Sequence, residues 1–504
     1  MSFGEFFPTF ACRKNLQAQT MKRLASQKVS LGEKFGYSMG DAAANLVFQM
    51  MMIFQLKFYT DVFGLDGAVA GSILMIGSIS AIVVDPTVGI LSDRTKTRWG
   101  KFRPWVIWTA IPFCIFYVLA FYNPGIHDKE MVAIYATISY VLMMTAYFFN
   151  NIPYTSLGGV MTSDIKERTS ITTIRFIVVT IAQFVVQGLT LPLVDTFSNG
   201  SLQRGWVTTV ILYACIAFFL FLITFKVTKE RIQPPPTQKV NIREDIKYTF
   251  SDVSWNSMAL LTFSLFITLA MWGSAMNFYF QYNVDQKSLC DFLSHFIEIE
   301  QKDAYSVGFS VFNMMGAIVQ FVGVICLSRY LANKYGKKNT FMVCLSLTAF
   351  FTAMFYIPSP TDVSLMFVLN FLRSLAYAPT IPLLWAMIAD VADHIEYENH
   401  RRATGFCFSG IVLALKLGLG FGGAIAGIII SMFGYVSGNV SIQNESAMEG
   451  IRLVSSFVPA FLFCVGVVAL QFYPITKEFN ENMQAELEGR RRLSAEAQEN
   501  DFTK

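Results

Sequence analysis

Four ionisable residues, Asp41, Asp85, Arg175 and Lys416, lie inside long apolar runs of a 504-residue chain. A charge at the centre of a membrane helix costs about 2.5–3.5 kcal/mol on insertion scales. Each is therefore expected to face a lined cavity rather than lipid. Their neighbours repeat at helical spacing. Glu33, Tyr37, Asp41, Asn45 and Gln49 are four residues apart and share one helix face. Arg175, Gln183 and Gln187 share another, as do Ser409 and Lys416. Tyr147, Asn150 and Asn151 precede Pro153, and Asp85 precedes Pro86. A proline frees helix carbonyls, which suits an ion or proton site beside the carboxylate. Carboxylates, amides and cations that converge beside an aromatic face such as Trp385 or Tyr37 suit a polyhydroxylated solute. The charged groups take vicinal hydroxyls in pairs, and the ring stacks on the sugar.

Other polar residues in the apolar runs read differently. Asn277, Gln281, Asn313 and Gln320 are expected to bond across helices as amides commonly do. Arg373 reads either as a buried brace to a carboxylate or as a functional cation. Lys57 and Asp61 lie near the end of their run and are expected to reach the membrane interface. His127, His295, His394 and His400 fall in or near loops, which argues against a histidine proton relay within the membrane. There is no nucleophile, dyad or HExxH-like spacing that would suggest an enzyme, and no cofactor or metal-ligand pattern. Six of the eight cysteines fall in apolar runs, so no disulfide framework is expected.

These residues need elements that can hold them in lipid. Hydrophobic residues make up 54% of the chain and charged residues only 15%, where a soluble protein carries about 25% charge. Only helices and closed barrels satisfy the backbone inside a bilayer, and these runs are too long and too uniformly apolar for barrel strands. The expected fold is all-α and integral to the membrane. Twelve spans are read at 34–60, 67–92, 104–122, 129–157, 170–194, 205–227, 256–284, 304–331, 340–357, 362–390, 404–435 and 449–474, numbered here 1 to 12. With an even count, both termini share a face, and the segments on that face hold 30 of the 39 Lys and Arg. Positive residues gather on the cytoplasmic side, so both termini are expected to be cytoplasmic. The net charge of +4 is then a topology signal and no nucleic-acid footprint.

The domain organisation expected is an N-terminal extension at 1–30, a six-helix bundle at 31–227, a linker at 228–255, a second bundle at 256–476 and a tail at 477–504. Residues 1–20 lack the apolar core of a signal peptide. Met21 opens MKRLASQKVSLGEKFGY, which reads like a start, so 1–20 are expected to be a disordered extension or a misassigned start. The bundles echo each other. TRWGKFRPW follows span 2 and NKYGKKNTF follows span 8; SDIKERTS follows span 4 and ADHIEYENHRRATG follows span 10. Such repetition points to two pseudo-symmetric bundles, the layout of major facilitator transporters. In GILSDRTKTRWGK, Gly89 is expected to permit close helix approach, while Asp93, Arg94, Arg98 and Lys101 brace the inner helix ends during conformational change. Residues 285–306 are expected to form a short amphipathic helix on the outer face.

The segments GYSMGDAAANL, FYTDVFGL, DPTVGILSDRTKTRWGKFRPW, NNIPYTSL, TIRF, LLWAMIADVADHIEYE and FYPIT together resemble the glycoside–pentoside–hexuronide:cation symporters, the melibiose permease group. The wording is nearest the glucuronide and pentoside branch, and the match runs over roughly 31–480. The resemblance implies import of a sugar or glycoside across a bacterial inner membrane, coupled to a cation. Within it, Asp41 corresponds to an aspartate that holds sugar hydroxyls and Arg175 to a sugar-site arginine. Lys416 corresponds to a lysine near both sugar and cation, Tyr147 to a pocket wall and Asp85 to a cation-site aspartate. Asn45, Asn151 and Trp385 complete the expected sugar site.

The chain departs from sodium-using members at three positions. Where those carry a second aspartate in span 2, an aspartate in span 4 and a threonine in span 11, this chain has Ala81, Asn151 and Val412. Sodium needs several hard oxygen ligands. An isolated carboxylate in an apolar surround supplies too few but can take up a proton. Proton symport through Asp85 is therefore expected ahead of sodium coupling. Alternatives are a sodium-coupled or uncoupled sugar facilitator, or a lysolipid carrier on the same fold.

Overall fold

The computed structural model describes residues 29–162, 165–231, 242–399, 404–438 and 442–501. The expectations for 1–28, for residues 232–241 of the linker and for His400 fall outside the described residues, as does the side chain of Asp93. Among the described residues there is no strand, only an isolated bridge between Thr97 and Gly100. Eleven helices among the described residues are long and apolar enough to cross a membrane. The twelfth crossing, span 1, is the 31-residue helix Leu31–Asp61, whose apolarity is diluted by Glu33, Lys34, Asp41, Lys57 and Asp61.

Each expected span is present. Spans 3 to 6 are Arg103–Ala120, Lys129–Met161, Ile165–Ser198 and Leu202–Val227. Span 9 is Lys337–Ala353 and span 11 is Thr404–Met432. The others are interrupted. Span 2 is Gly67–Ile79 followed by Ala81–Arg94. Its break lies at Ser80, before Pro86, and the helix runs on through the proline. Span 7 is Val253–Phe278, ending in a π-helical turn at Tyr279–Asn283, and span 8 is Ala304–Gly323 with a π turn at Val324–Ser328. Span 10 is Val363–Tyr377 plus Thr380–Asn399, and span 12 is Glu445–Ser455 plus Phe457–Gln471. The expected amphipathic helix is Gln286–Ser294. It buries Leu289 and Leu293, and Phe292 packs on Phe367 of span 10, with ring centroids 5.0 Å apart.

Large apolar side chains remain on the outside, among them Val83, Phe461 and Met432 at 72%, 67% and 78% exposure. A soluble surface would not leave so many uncovered, and lipid is the solvent that suits them. Spans 1 to 6 form the N-terminal half and spans 7 to 12 the C-terminal half. The halves meet closely on the face opposite the termini. There span 2 packs on span 11 through Gly67–Ile79, while Ala81–Arg94 barely touches it. The seam requires glycine: a Cβ on Gly427 would fall 2.1 Å from the Gly67 carbonyl oxygen. Across the same seam the Gly438 N–H donates to the Thr60 carbonyl at 3.0 Å, and Ser274 Oγ donates to the Met52 carbonyl at 3.1 Å. Gly89, on the terminal side of span 2, faces open space. Its expected close helix approach is absent here, because the halves are splayed at that level.

Candidate functional site

Two ion pairs stand in the middle of the molecule. On span 1, Asp41 faces Arg175 of span 5, with Oδ2 and Nε 3.2 Å apart. Asn45, one turn along span 1, donates to Asp41 Oδ1 at 3.2 Å. The Tyr37 hydroxyl lies beside the Arg175 guanidinium, and the Tyr37 ring stacks on Tyr154 of span 4 at 4.7 Å. The i, i+4 spacing of span 1 thus places three polar groups along one wall. The Asp41 and Arg175 side chains are only 18% and 26% exposed, desolvated but still reachable.

The second pair joins the halves. Lys416 Nζ of span 11 donates to Asp85 Oδ2 of span 2. The ammonium also lies over the Phe148 ring of span 4, 4.2 Å from its centroid. Asp85 is therefore not the isolated carboxylate expected from sequence. Its partner, the Lys416 ammonium, comes from 331 residues away. Tyr147 lies within electrostatic reach of both Asp41 and Asp85 and packs against Phe48 and Phe113, each at 6.1 Å. Asn151 is half-buried on the same span. Trp385 is not among these contacts; it packs on the C-terminal-half core that includes Leu384 and Met387. Among the described residues no group of His, Cys, Asp and Glu could hold a metal ion.

Several neighbours play other parts. Asn150 donates to Val106 O at 3.2 Å and to Thr109 Oγ1 at 2.9 Å, which ties span 4 to span 3. Glu33 leaves the span 1 stripe and takes a two-pronged bond from Arg231, both distances 2.7 Å. Arg373 has no carboxylate partner among the described residues. Its guanidinium stacks on Trp272 at 3.6 Å and Nε donates to Thr352 Oγ1 at 3.1 Å. An aromatic face and a hydroxyl replace the expected brace.

Lys57 and Asp61 do not reach the interface. They are 6% and 7% exposed and pair at 3.1 Å. Asp61 Oδ1 accepts from the Tyr435 hydroxyl at 2.7 Å, across the seam. Lys57 Nζ lies 5.1–5.5 Å from the rings of Phe278, Tyr282 and Tyr305, all from the C-terminal half. The expectation failed because a second half covers this end of span 1.

In the loop after span 2, Arg98 and Lys101 lie over the rings of Trp99 and Phe102, at 4.9 and 5.1 Å, and Arg94 is exposed. The loop is held by Glu230, a residue that no sequence motif singles out. Its carboxylate accepts from the backbone N–H groups of Lys101, Phe102 and Arg103 at 2.8, 2.7 and 2.8 Å. Gly100, at φ +114°, leaves room for it. The only sequence signal was a glycine within a basic loop.

Comparison with known proteins gives a consistent result. Residues 36–477 match the family model for MFS/sugar transport proteins. The inner membrane symporter YicJ of Escherichia coli K12 is 31% identical over 472 residues, spanning 93% of this chain and 97% of that protein. The isoprimeverose transporter of Lactiplantibacillus pentosus is 30% identical over 464 residues, spanning 91% and 92%. Among solved structures, the inward-open xylose transporter XylE of E. coli aligns with a TM-score of 0.56 at 14% identity, over 90% of this chain and 98% of that one. The nucleoside transporter NupG aligns at 0.59 with 16% identity, over 88% and 100%. These last two share the fold.

Proposed function

The chain belongs to the MFS/sugar transport protein family, and from that premise we propose that it imports a glycoside, pentoside or hexuronide by proton symport. It is a multi-pass membrane transporter, not an enzyme, and its family resemblance is to the glycoside–pentoside–hexuronide:cation symporters. The single observation that carries the proton reading is the Lys416–Asp85 pair. A tethered ammonium already neutralises Asp85, and the chain has Ala81, Asn151 and Val412 where sodium ligands would be needed. A proton on Asp85 cancels its charge and frees Lys416; deprotonation restores the pair. The exchange changes how the halves are joined, because spans 2 and 11 belong to different halves.

Sugar then binds beside this switch. Asp41, Asn45 and Arg175 take hydroxyls in pairs, Tyr147 and Asn151 form the wall of span 4, and Trp385 closes from the C-terminal half. Lys416, once released by Asp85, turns to the sugar. Bundles 31–227 and 256–476 rock around the site, and each state exposes it to one side. The present conformation, sealed opposite the termini, corresponds to the inward-facing state if both termini are cytoplasmic. The Lys and Arg distribution supports that orientation, and the E. coli relative is named an inner membrane symporter. Asp93, Arg94, Arg98 and Lys101 move with the loop that Glu230 anchors, and Gly89 meets span 11 when the inner side closes.

The test is thermal stability of the purified protein with neutral glycosides, pentosides and hexuronides at pH 6 and pH 8, with and without sodium. Stabilisation by one of these classes, greater at pH 6 and indifferent to sodium, is expected. Stabilisation that requires sodium would overturn the proton assignment.

A further inference from the structure

The last five residues of span 7, Tyr279–Asn283, form a π-helical turn, a rare geometry that recurs at functional positions. The turn is one wall of a cleft of about 620 Å³ on the face opposite the termini. The start of helix Gln286–Ser294, the turn at Pro358 and Pro360, and the first turns of span 12 form the other walls. The walls are tied together. The Asp285 N–H donates to Pro360 O at 2.9 Å, and Asn283 Nδ2 donates to Met448 O at 3.0 Å. Gln286 Nε2 donates to Phe280 O and Val284 O at 2.9 and 3.0 Å.

These bonds commit the amino groups of both amides and leave their oxygens over. Asn283 Oδ1 and Gln286 Oε1, on two residues that line the cleft, are buried with no partner in the protein. A buried acceptor without a donor is destabilising, and a donor supplied by a ligand relieves it. Glu445 and Glu449 add further acceptors on the opposite wall, and the half-buried Tyr282 supplies an aromatic face. The cleft therefore offers carboxylate acceptors and an aromatic face to a ligand rich in hydroxyl donors, and a turn of either amide would bring its unpartnered oxygen to that ligand. Its charges are Asp285, Glu445 and Glu449 against Lys287 and Arg452, an excess of one negative charge that favours a neutral ligand over a carboxylate. The volume lies within the range of small-molecule sites.

We propose that this cleft is a second carbohydrate site, an outer vestibule that takes a neutral mono- or disaccharide before it reaches the centre. The ligand class rests on the sugar-transport reading above; the cleft residues do not depend on the central assignments. Its position suits a collecting role. The Tyr282 hydroxyl lies 3.3 Å from that of Tyr435, which in turn donates to Asp61 across the seam between the halves. A sugar in the cleft stands beside the contact that must part for the molecule to open outward.

The experiment is equilibrium dialysis of the purified full-length protein with the neutral disaccharide isoprimeverose, to about 10 mM, enough to fill a site whose dissociation constant is about 1 mM. The parent is expected to bind two equivalents and Asp41→Ala one. The combined variant Asp41→Ala/Gln286→Ala/Glu445→Ala should bind none, and its monodisperse elution would show that it is folded. Methyl glucuronide should bind the cleft at least tenfold more weakly. If Asp41→Ala protein binds nothing, or the parent binds nothing, the cleft is no site and the proposal is overturned. An equivalent that persists in the combined variant lies elsewhere and overturns it too. A single equivalent that survives Asp41→Ala and disappears with the cleft changes would sink the central assignment and leave the vestibule standing.

Discussion

Neutralising Asp61 leaves Lys57 as an unpaired cation in a sealed seam. Lys57 is 6% exposed, and beyond Asp61 its surroundings are the rings of Phe278, Tyr282 and Tyr305. Breaking a buried pair by removing one partner costs about 3–5 kcal/mol, whereas replacing both by apolar groups of similar volume is often neutral. Asp61→Asn also weakens the 2.7 Å bond from Tyr435, worth about 1.5–3 kcal/mol when charge-assisted. Only the closed seam carries these penalties, since opening lets water reach Lys57. Asp61→Asn should therefore shift the balance toward the open outer face by about 3 kcal/mol, roughly a hundredfold. The assay is labelling of Ser437→Cys by a membrane-impermeant maleimide from the side opposite the termini. Ser437 is half-buried and bonds the Leu65 carbonyl across the seam at 2.7 Å, so the cysteine is partly shielded until the halves part. Labelling should be at least tenfold faster in Asp61→Asn and return close to the parent rate in Lys57→Met/Asp61→Asn. Equal labelling of the single and double variants would refute the reasoning, because the effect would not then come from an unpaired Lys57.

Three further outcomes are expected. Gly100→Ala places a Cβ 2.5 Å from the Glu230 carboxylate at φ +114°; it should lower the melting temperature by a strain of about 1–3 kcal/mol, and an unchanged melting temperature contradicts the cradle. Arg373→Met removes a buried cation that lacks a carboxylate partner and keeps most of its volume; thermal unfolding should change by less than about 2 kcal/mol, and uptake should stay within threefold of the parent. Burial pushes the Asp252 carboxyl up, but hydrogen bonds from His394, Ser254 and the Trp255 N–H outweigh it and hold the group below its usual 3.8. A depressed carboxylate contributes stability above its unfolded value and loses it as pH falls through the folded one. Acid unfolding scans should thus show a loss below pH 3.8 that is absent in Asp252→Asn.

The spans were legible because lipid demands long apolar helices, and apolar length is a local property. The convergence of Asp41, Asn45 and Arg175 was legible as residue types on helical faces. Which acid meets which base was not. Asp85 and Lys416 meet through the packing of two halves; the resemblance set both near the cation site, but no local pattern made them a pair. Lys57 and Asp61 were misread for the same reason: the covering surface comes from spans 7, 8 and 11. Gly89 carried a motif but meets nothing in this conformation, whereas Gly100 is required by a carboxylate that follows span 6. Pro86 suggested a distorted helix, and the break stands instead at Ser80, where the closed and splayed parts of span 2 join.

The central claim is that a proton on Asp85 drives sugar uptake. The direct measurement is isoprimeverose accumulation in proteoliposomes under an imposed pH gradient or an imposed sodium gradient, for the parent protein and Asp85→Asn. The account predicts uphill accumulation with the pH gradient alone and none with sodium alone. Asp85→Asn should lose accumulation under the pH gradient while still binding the sugar. Accumulation driven by sodium, or accumulation under the pH gradient that persists in Asp85→Asn, would contradict it.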